Sequence, residues 1–261
     1  MRAVCLIRKE PAYRREAFEK GLQRVGFTLT NAMTPSGPED WLILWNRKAG
    51  SDAVLANTWE NRGGTVIVAE NGYLQKLDKT YYAIGVHGHN GAGWFPVGDE
   101  DRFAKLWIDV KPWRTDGSEI VIRGQRGIGL PPVASPHNWT RATLAHVQRL
   151  TKLPVRVYEH PGDKGKLEKD LANLKNAAGL VIWSSAMGIR ALVEGVPVWY
   201  ASPSWICARG GAGRLSEFPF RCELNRLTVL NKMAHGQWHF DEIATGEPFA
   251  RIIDHRKEAV W

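Results

Sequence analysis

Short apolar runs that stop abruptly at glycine or polar residues, with helical stretches between them, recur along this chain and constrain its fold more than any other feature. Trp41-Leu42-Ile43-Leu44-Trp45, Thr65-Val66-Ile67-Val68-Ala69, Glu119-Ile120-Val121-Ile122, Pro154–Tyr158, Gly179–Trp183 and Pro197–Tyr200 read as strands, several continuous enough to be buried on both faces of a parallel sheet. Residues 2–8 and Phe27-Thr28-Leu29 add two shorter ones. Between them, Tyr13, Ala17, Phe18, Leu22 and Val25 recur at helical spacing, and Gly26 supplies a stop. Further helices are expected over 51–61, 138–150, 165–176 and 186–194. Strand–helix–strand alternation of this kind builds a doubly wound α/β sheet.

The rhythm breaks across a loop-rich stretch, roughly 70–117, and then restarts. A length of 261 residues suits two small domains. The expected division is an N-terminal Rossmann-like domain over 1–114, a second over 115–221, and a helical tail over 222–261 that packs back on the first. In open parallel sheets ligands bind beyond the carboxyl ends of the strands, so chemistry is expected in the residues just after each apolar run.

The composition, 44% hydrophobic and 24% charged, is that of a globular protein. No apolar run approaches the ~20 residues that span a bilayer, and Met1–Lys9 returns to charge too soon for a signal peptide. Cys5, Cys207 and Cys222 are scattered, odd in number and lack metal-ligand spacing, which points to a reduced, cytoplasmic protein. A net charge of +8 favours a polyanionic partner such as nucleic acid, a phosphorylated metabolite or an anionic polysaccharide. The twelve tryptophans suit stacking on sugar rings or bases as well as core packing.

The most informative segment is Val181-Ile182-Trp183-Ser184-Ser185-Ala186-Met187-Gly188, which continues to Glu194-Gly195-Val196-Pro197-Val198. A strand ends in two hydroxyl residues and enters a helix directly. Ser184 or Ser185 can cap that helix, and the free N–H groups of its first turn suit a phosphate. Met187 and Gly188 are expected to let a ligand approach this turn, and Glu194 closes the helix. Gln125 and Arg126 follow an earlier strand, and an arginine fork suits phosphate. His160 lies in a His-Pro-Gly corner after Tyr158 and could serve a phosphate, a sugar or only the turn. Glu70, at the end of a buried run, is the preferred acid/base group, with the stabilisation of the Asn71-Gly72 turn as its alternative.

These stations resemble, in order along the chain, those of GT-B glycosyltransferases related to capsule-polysaccharide and Kdo transferases. The likeness is carried by Glu70-Asn71-Gly72-Tyr73-Leu74, His87-Gly88-His89-Asn90-Gly91, Ile122–Gly127, Val157-Tyr158-Glu159-His160-Pro161-Gly162 and the 181–198 segment. It implies two Rossmann-like domains facing a cleft. The donor site would be formed by Gln125, Arg126, His160, Ser184, Ser185, Met187, Gly188 and Glu194, the last on a ribose hydroxyl. Glu70 and His160 would be catalytic.

Gln237-Trp238-His239-Phe240-Asp241-Glu242-Ile243, the short length and the positive charge further resemble small phage-encoded members thought to glycosylate hydroxymethylated DNA bases. That implies an extruded base held by Trp45, Asn46, Tyr73, His87, His89, Asn90 and Trp94, with Arg8, Arg14, Arg15 and Arg47 on double-stranded DNA phosphates in a host cytoplasm. A surface polysaccharide or lipid-linked glycan is the alternative acceptor, and a non-catalytic nucleic-acid-binding protein is a third reading. The only partner small molecule implied is a nucleotide sugar, a UDP-sugar foremost, with no further cofactor and no membrane. No metal is expected, because Asp99-Glu100-Asp101 stands where acidic residues start a helix. Oligomeric state stays open.

Overall fold

The computed structural model describes residues 1–74, 80–127, 134–159, 172, 174–208, 210–220 and 225–256. The chain forms two compact units. The first comprises Met1–Glu100 with Ala234–Trp261, and the second Asp101–Met233.

The first unit is built on a six-stranded sheet of β1 (Arg2–Cys5), β2 (Thr28–Leu29), β3 (Trp41–Trp45), β4 (Thr65–Asn71), β5 (Tyr81–Val86) and β11 (Gln237–His239), in the order β2-β1-β3-β4-β5-β11. β2, β1, β3 and β4 are parallel; β5 runs antiparallel to β4, and β11 antiparallel to β5. Alternation sorts the side chains of β3 and β4 between two cores. Trp41, Ile43, Ile67 and Ala69 pack with Phe18 and Leu22 of α1 (Arg15–Arg24), Ile243 of α6 (Phe240–Thr245), and Phe249 and Ile252 of α7 (Glu247–His255). Leu42, Leu44, Val66 and Val68 pack with Ala56 and Trp59 of α2 (Ser51–Asn61). The approach of α1 to α6 depends on glycine, since a Cβ on Gly21 would lie 1.9 Å from the Ile243 carbonyl oxygen. Asp40, 6% exposed, closes the edge below β3 and accepts from the Arg2 N–H (3.2 Å), Arg2 Nε (3.1 Å) and the Ser36 N–H (2.7 Å).

The second unit holds an all-parallel sheet of β6 (Glu119–Arg123), β7 (Val155–Tyr158), β8 (Ala177–Ile182), β9 (Val198–Tyr200) and β10 (Ala212–Arg214), ordered β7-β6-β8-β9-β10. Counted within the unit this is the doubly wound order 2-1-3-4-5. α3 (Trp139–Leu150) links β6 to β7, and α4 (Ala186–Val193) links β8 to β9. The core joins Ile120, Ile122, Val181 and Trp199 of the sheet to Trp139 and Val147 of α3.

The units divide after Glu100 and after Met233, whereas sequence reading placed the breaks at 114/115 and 221/222. Hydrogen bonds explain the difference. Lys111 N–H donates to the Val193 carbonyl (2.8 Å) and Arg114 N–H to that of Gly195 (2.7 Å), fastening the proline-containing stretch to α4. α5 (Arg226–Ala234) belongs almost wholly with it, as Arg226 stacks over Trp113 and donates to the Leu192 carbonyl (2.8 Å). Three strands were not foreseen. β5 falls in the stretch read as loop, β10 follows the last expected strand, and β11 lies in the tail read as helical. The helix expected over 165–176 lies largely outside the described residues.

Candidate functional site

In the second unit the chain leaves β6 toward β7 and leaves β8 in the opposite direction toward β9, so the carboxyl ends of β6 and β8 form the topological switch point where doubly wound sheets hold ligands. The loop carrying Gln125 and Arg126 follows β6, and Trp183-Ser184-Ser185 follows β8. Arg126 is exposed, and the partly buried Gln125 has its Nε2 enclosed without a hydrogen-bond partner among the described residues. Ser185 is the N-cap of α4: its backbone is extended and its Oγ accepts from the Met187 N–H at 3.2 Å.

Met187 and Gly188, expected to admit a ligand, instead pack the helix. Met187 is 2% exposed, and a Cβ on Gly188 would lie 2.4 Å from Ile182 Cδ1 and 2.8 Å from the Trp205 ring. Glu194 is the C-cap of α4, about 13 Å along the axis from Ser185. His160 lies outside the described residues.

Sequence reasoning missed the pocket beside these strand ends. It encloses about 670 Å³ between α3, which contributes Trp139, Thr143 and His146, and the ends of β8, β9 and β10, which contribute Trp183, Tyr200, Ser202 and Arg214. Trp139 and Trp183 meet edge to face at 6.1 Å, and the Trp139 indole Nε1 is buried with no hydrogen-bond partner among the described residues. The available signal was an aromatic residue directly after an apolar strand.

In the first unit, Glu70 lies on β4 one position past the Trp45–Ala69 pair, on the same face as Val66 and Val68. Asn46 continues β3 beside it, its N–H donating to the Ala69 carbonyl (2.9 Å) and its Oδ1 buried without a partner among the described residues. His89 brings Nε2 to 3.9 Å from Glu70 Oε2. Asn90 N–H donates to Tyr73 Oη (2.8 Å), and Tyr73 N–H donates to Gln237 Oε1 (2.6 Å), tying this loop to β11.

The other residues expected on an acceptor have different surroundings. Trp45 meets Tyr13 at 4.7 Å and Tyr82 at 5.9 Å within the α1-side core, and Trp94 pairs with Val86 and packs on the same core. His87 Nδ1 donates to Glu60 Oε1 at 2.6 Å, while Arg47 grips the same carboxylate through Nη1 (2.7 Å) and Nη2 (2.5 Å). Burial pushes the Glu60 carboxyl up, but the hydrogen bonds from His87 and Arg47 and the Arg47 charge outweigh it and hold it below the usual range. Arg15 pairs with Glu19 (2.6 Å), Arg14 lies over the Phe240 ring and Arg8 donates to Tyr13 Oη (2.9 Å), so the arginines expected on DNA phosphates have partners within the protein.

Asp101 Oδ1 accepts from the Ala104 N–H (3.0 Å) and starts a short 3₁₀ turn, while Glu100 pairs with Arg251 (2.5 Å). Among the described residues no three His, Cys, Asp or Glu side chains gather as a metal site. No described helix is long and apolar enough to cross a membrane. Burial raises the Cys5 thiol to about 11 and the Cys207 thiol still further, so neither is a thiolate at neutral pH.

No family model matches the chain, and no curated protein matches it in sequence. Solved structures do match. The beta Kdo 2,4 transferase of KpsC from Thermosulfurimonas dismutans aligns with a TM-score of 0.57 at 14% identity, over 97% of this chain and 97% of that one. The beta Kdo 2,7 transferase of the same organism's KpsC aligns at 0.52 and 13% identity, over 95% and 99%. At such identity the likeness shows the fold alone, which is α/β with two Rossmann-like units, the GT-B class of fold.

Proposed function

We propose that this chain is a glycosyltransferase that moves a sugar from a nucleotide-sugar donor to a hydroxyl of a saccharide acceptor. The observation that carries the reading is the β6/β8 switch point, where the Gln125–Arg126 loop and the Ser185-capped start of α4 stand together in a fold shared with two Kdo transferases. In this reading Arg126, Ser184, Ser185 and the first-turn amides of α4 meet the donor phosphate, so its charge needs no metal. The aromatic pocket with the unpartnered Trp139 N–H receives the planar base.

Glu70 takes the proton of the acceptor hydroxyl. The acceptor oxygen bonds to the anomeric carbon, the bond from that carbon to the phosphate oxygen breaks, and its electron pair leaves on the phosphate. Asn46 and His89 orient the acceptor. The saccharide acceptor is favoured because both structural neighbours are named as Kdo transferases and because Arg8, Arg14, Arg15 and Arg47 have internal partners. The net charge of +8 supports a second reading, transfer to a hydroxymethylated base in double-stranded DNA.

Incubation with UDP-, GDP- and CMP-sugars and either a panel of oligosaccharides or hydroxymethylated DNA, read by mass spectrometry, tests both. A sugar-sized mass gain on an oligosaccharide supports the first reading, and one on a nucleoside supports the second. No gain with any pair, from folded protein, overturns the transferase proposal.

A further inference from the structure

Glu60 sits near the end of α2 and has no part in the chemistry proposed above, yet both its oxygens are engaged. Oε1 accepts from Arg47 Nη1 (2.7 Å) and His87 Nδ1 (2.6 Å), and Oε2 from Arg47 Nη2 (2.5 Å). Arg47 Nη1 also donates to the His87 carbonyl at 2.6 Å, which closes a ring through three separate chain segments. The three side chains are 13–31% exposed, so these charge-assisted bonds are only partly screened by water.

The ring lies between residues with left-handed backbone, whose N–H groups are tied to the sheet: Asn46 N–H donates to the Ala69 carbonyl (2.9 Å) and His87 N–H to that of Val66 (2.7 Å). Asn46, immediately before Arg47, has φ 51°, and His87 has φ 64°; Asn90, further along the loop, has φ 57°. Asparagine and histidine enter this region more readily than other non-glycine residues, and neighbouring contacts add to what holds them there. Past His87 the loop folds on itself: a Cβ on Gly88 would lie 2.6 Å from the Ala92 oxygen, and one on Gly93 2.2 Å from the Gly88 oxygen. Two residues beyond the clamp, His89 meets Glu70.

We infer that Glu60 is a positioning residue, which clamps Arg47 to His87 and thereby sets both Asn46 and the His89 loop against Glu70. The inference rests on the proposed transferase reading for its effect on rate, and on geometry alone for its effect on the loop. It also gives His87 a structural place in the clamp rather than a contact with the acceptor.

The test uses the full chain with Glu60→Gln, which keeps the shape and removes the charge, and Arg47→Lys, which keeps the charge and removes the fork. Glu60→Gln is expected to lower kcat ten-fold or more, to leave the KM for the donor unchanged, and to speed amide hydrogen exchange over residues 88–94 ten-fold or more. Arg47→Lys moves the same readouts in the same direction, and the double variant loses no more than the worse single variant. Wild-type exchange over 88–94 in Glu60→Gln, or additive losses in the double variant, overturns the clamp. If wild-type protein transfers no sugar, the functional proposal fails while exchange still decides the clamp. If Glu60→Gln does not fold, exchange in Arg47→Lys decides it, with unchanged exchange overturning the inference.

Discussion

His89 holds Nε2 3.9 Å from Glu70 Oε2, and the two side chains are 18% and 16% exposed where β4 emerges from the sheet. This spacing is longer than a hydrogen bond, so neither group's reactive atoms are consumed by the other. Replacing Glu70 by Gln should lower transfer by about 10²–10⁴-fold, the range of a lost general base. Melting temperature and donor binding should hardly move. Initial rates at saturating donor check this, and a Glu70→Gln rate within three-fold of wild type would remove Glu70 from the chemistry.

Ser185→Ala separates two roles of one hydroxyl. Loss of the N-cap should cost about 1 kcal/mol of stability, read as a shifted midpoint in urea. Calorimetric titration with the donor nucleotide should show weaker binding, because the first turn of α4 loses a donor to phosphate. Stability loss with unchanged nucleotide affinity would confine Ser185 to capping.

Acid should weaken the first unit through two carboxylates. The Arg2 hydrogen bond, aided by the Ser36 and Arg2 backbone amides, holds Asp40 below the usual range against its burial, and Glu60 is also depressed. A depressed folded pKa means stability that is present above the unfolded value, near 4, and is lost as pH falls through the folded one. Denaturation midpoints should therefore be insensitive to these groups from about pH 6 to 8 and fall below about pH 4. Asp40→Asn should lose about 1–3 kcal/mol at neutral pH and show a shallower acid limb. An unchanged acid limb would assign the pH dependence elsewhere.

Gly21→Ala should destabilise by about 1–3 kcal/mol, the ordinary cost of overpacking, although alanine is the better helix former. The added Cβ would meet the Ile243 carbonyl oxygen at 1.9 Å, a backbone atom that no rotamer change removes. Urea denaturation measures it, and a neutral or stabilised variant would show that α1 and α6 can separate freely.

Long periodic elements were legible in the chain and short or tertiary ones were not. α2 was expected at 51–61 and α3 at 138–150, and they span Ser51–Asn61 and Trp139–Leu150, because each carries several turns of apolar spacing between breakers. β11 and β10 have three residues each, too few for any period to register, and β11 pairs with β5, a strand far away in sequence. The site divides along the same line. Ser185 announced itself by following an apolar strand, whereas the Glu60 clamp joins positions 47, 60 and 87, and no local pattern links them. Gly188 shows the reverse error, since a glycine beside a presumed ligand site is there for Ile182 and Trp205.

The place of β11 also sets an order of assembly during synthesis. Every element of the second unit leaves the ribosome before Gln237–His239 and the two helices after it, which supply the first unit's sheet edge and the core residues Trp238, Ile243, Phe249 and Ile252. Until then the β5 edge lacks its β11 partner and Trp41 and Phe18 lack Phe249, so the earliest-made unit is the last to be completed. Nascent chains halted near residue 233 should display a protease-resistant middle and a protease-sensitive beginning.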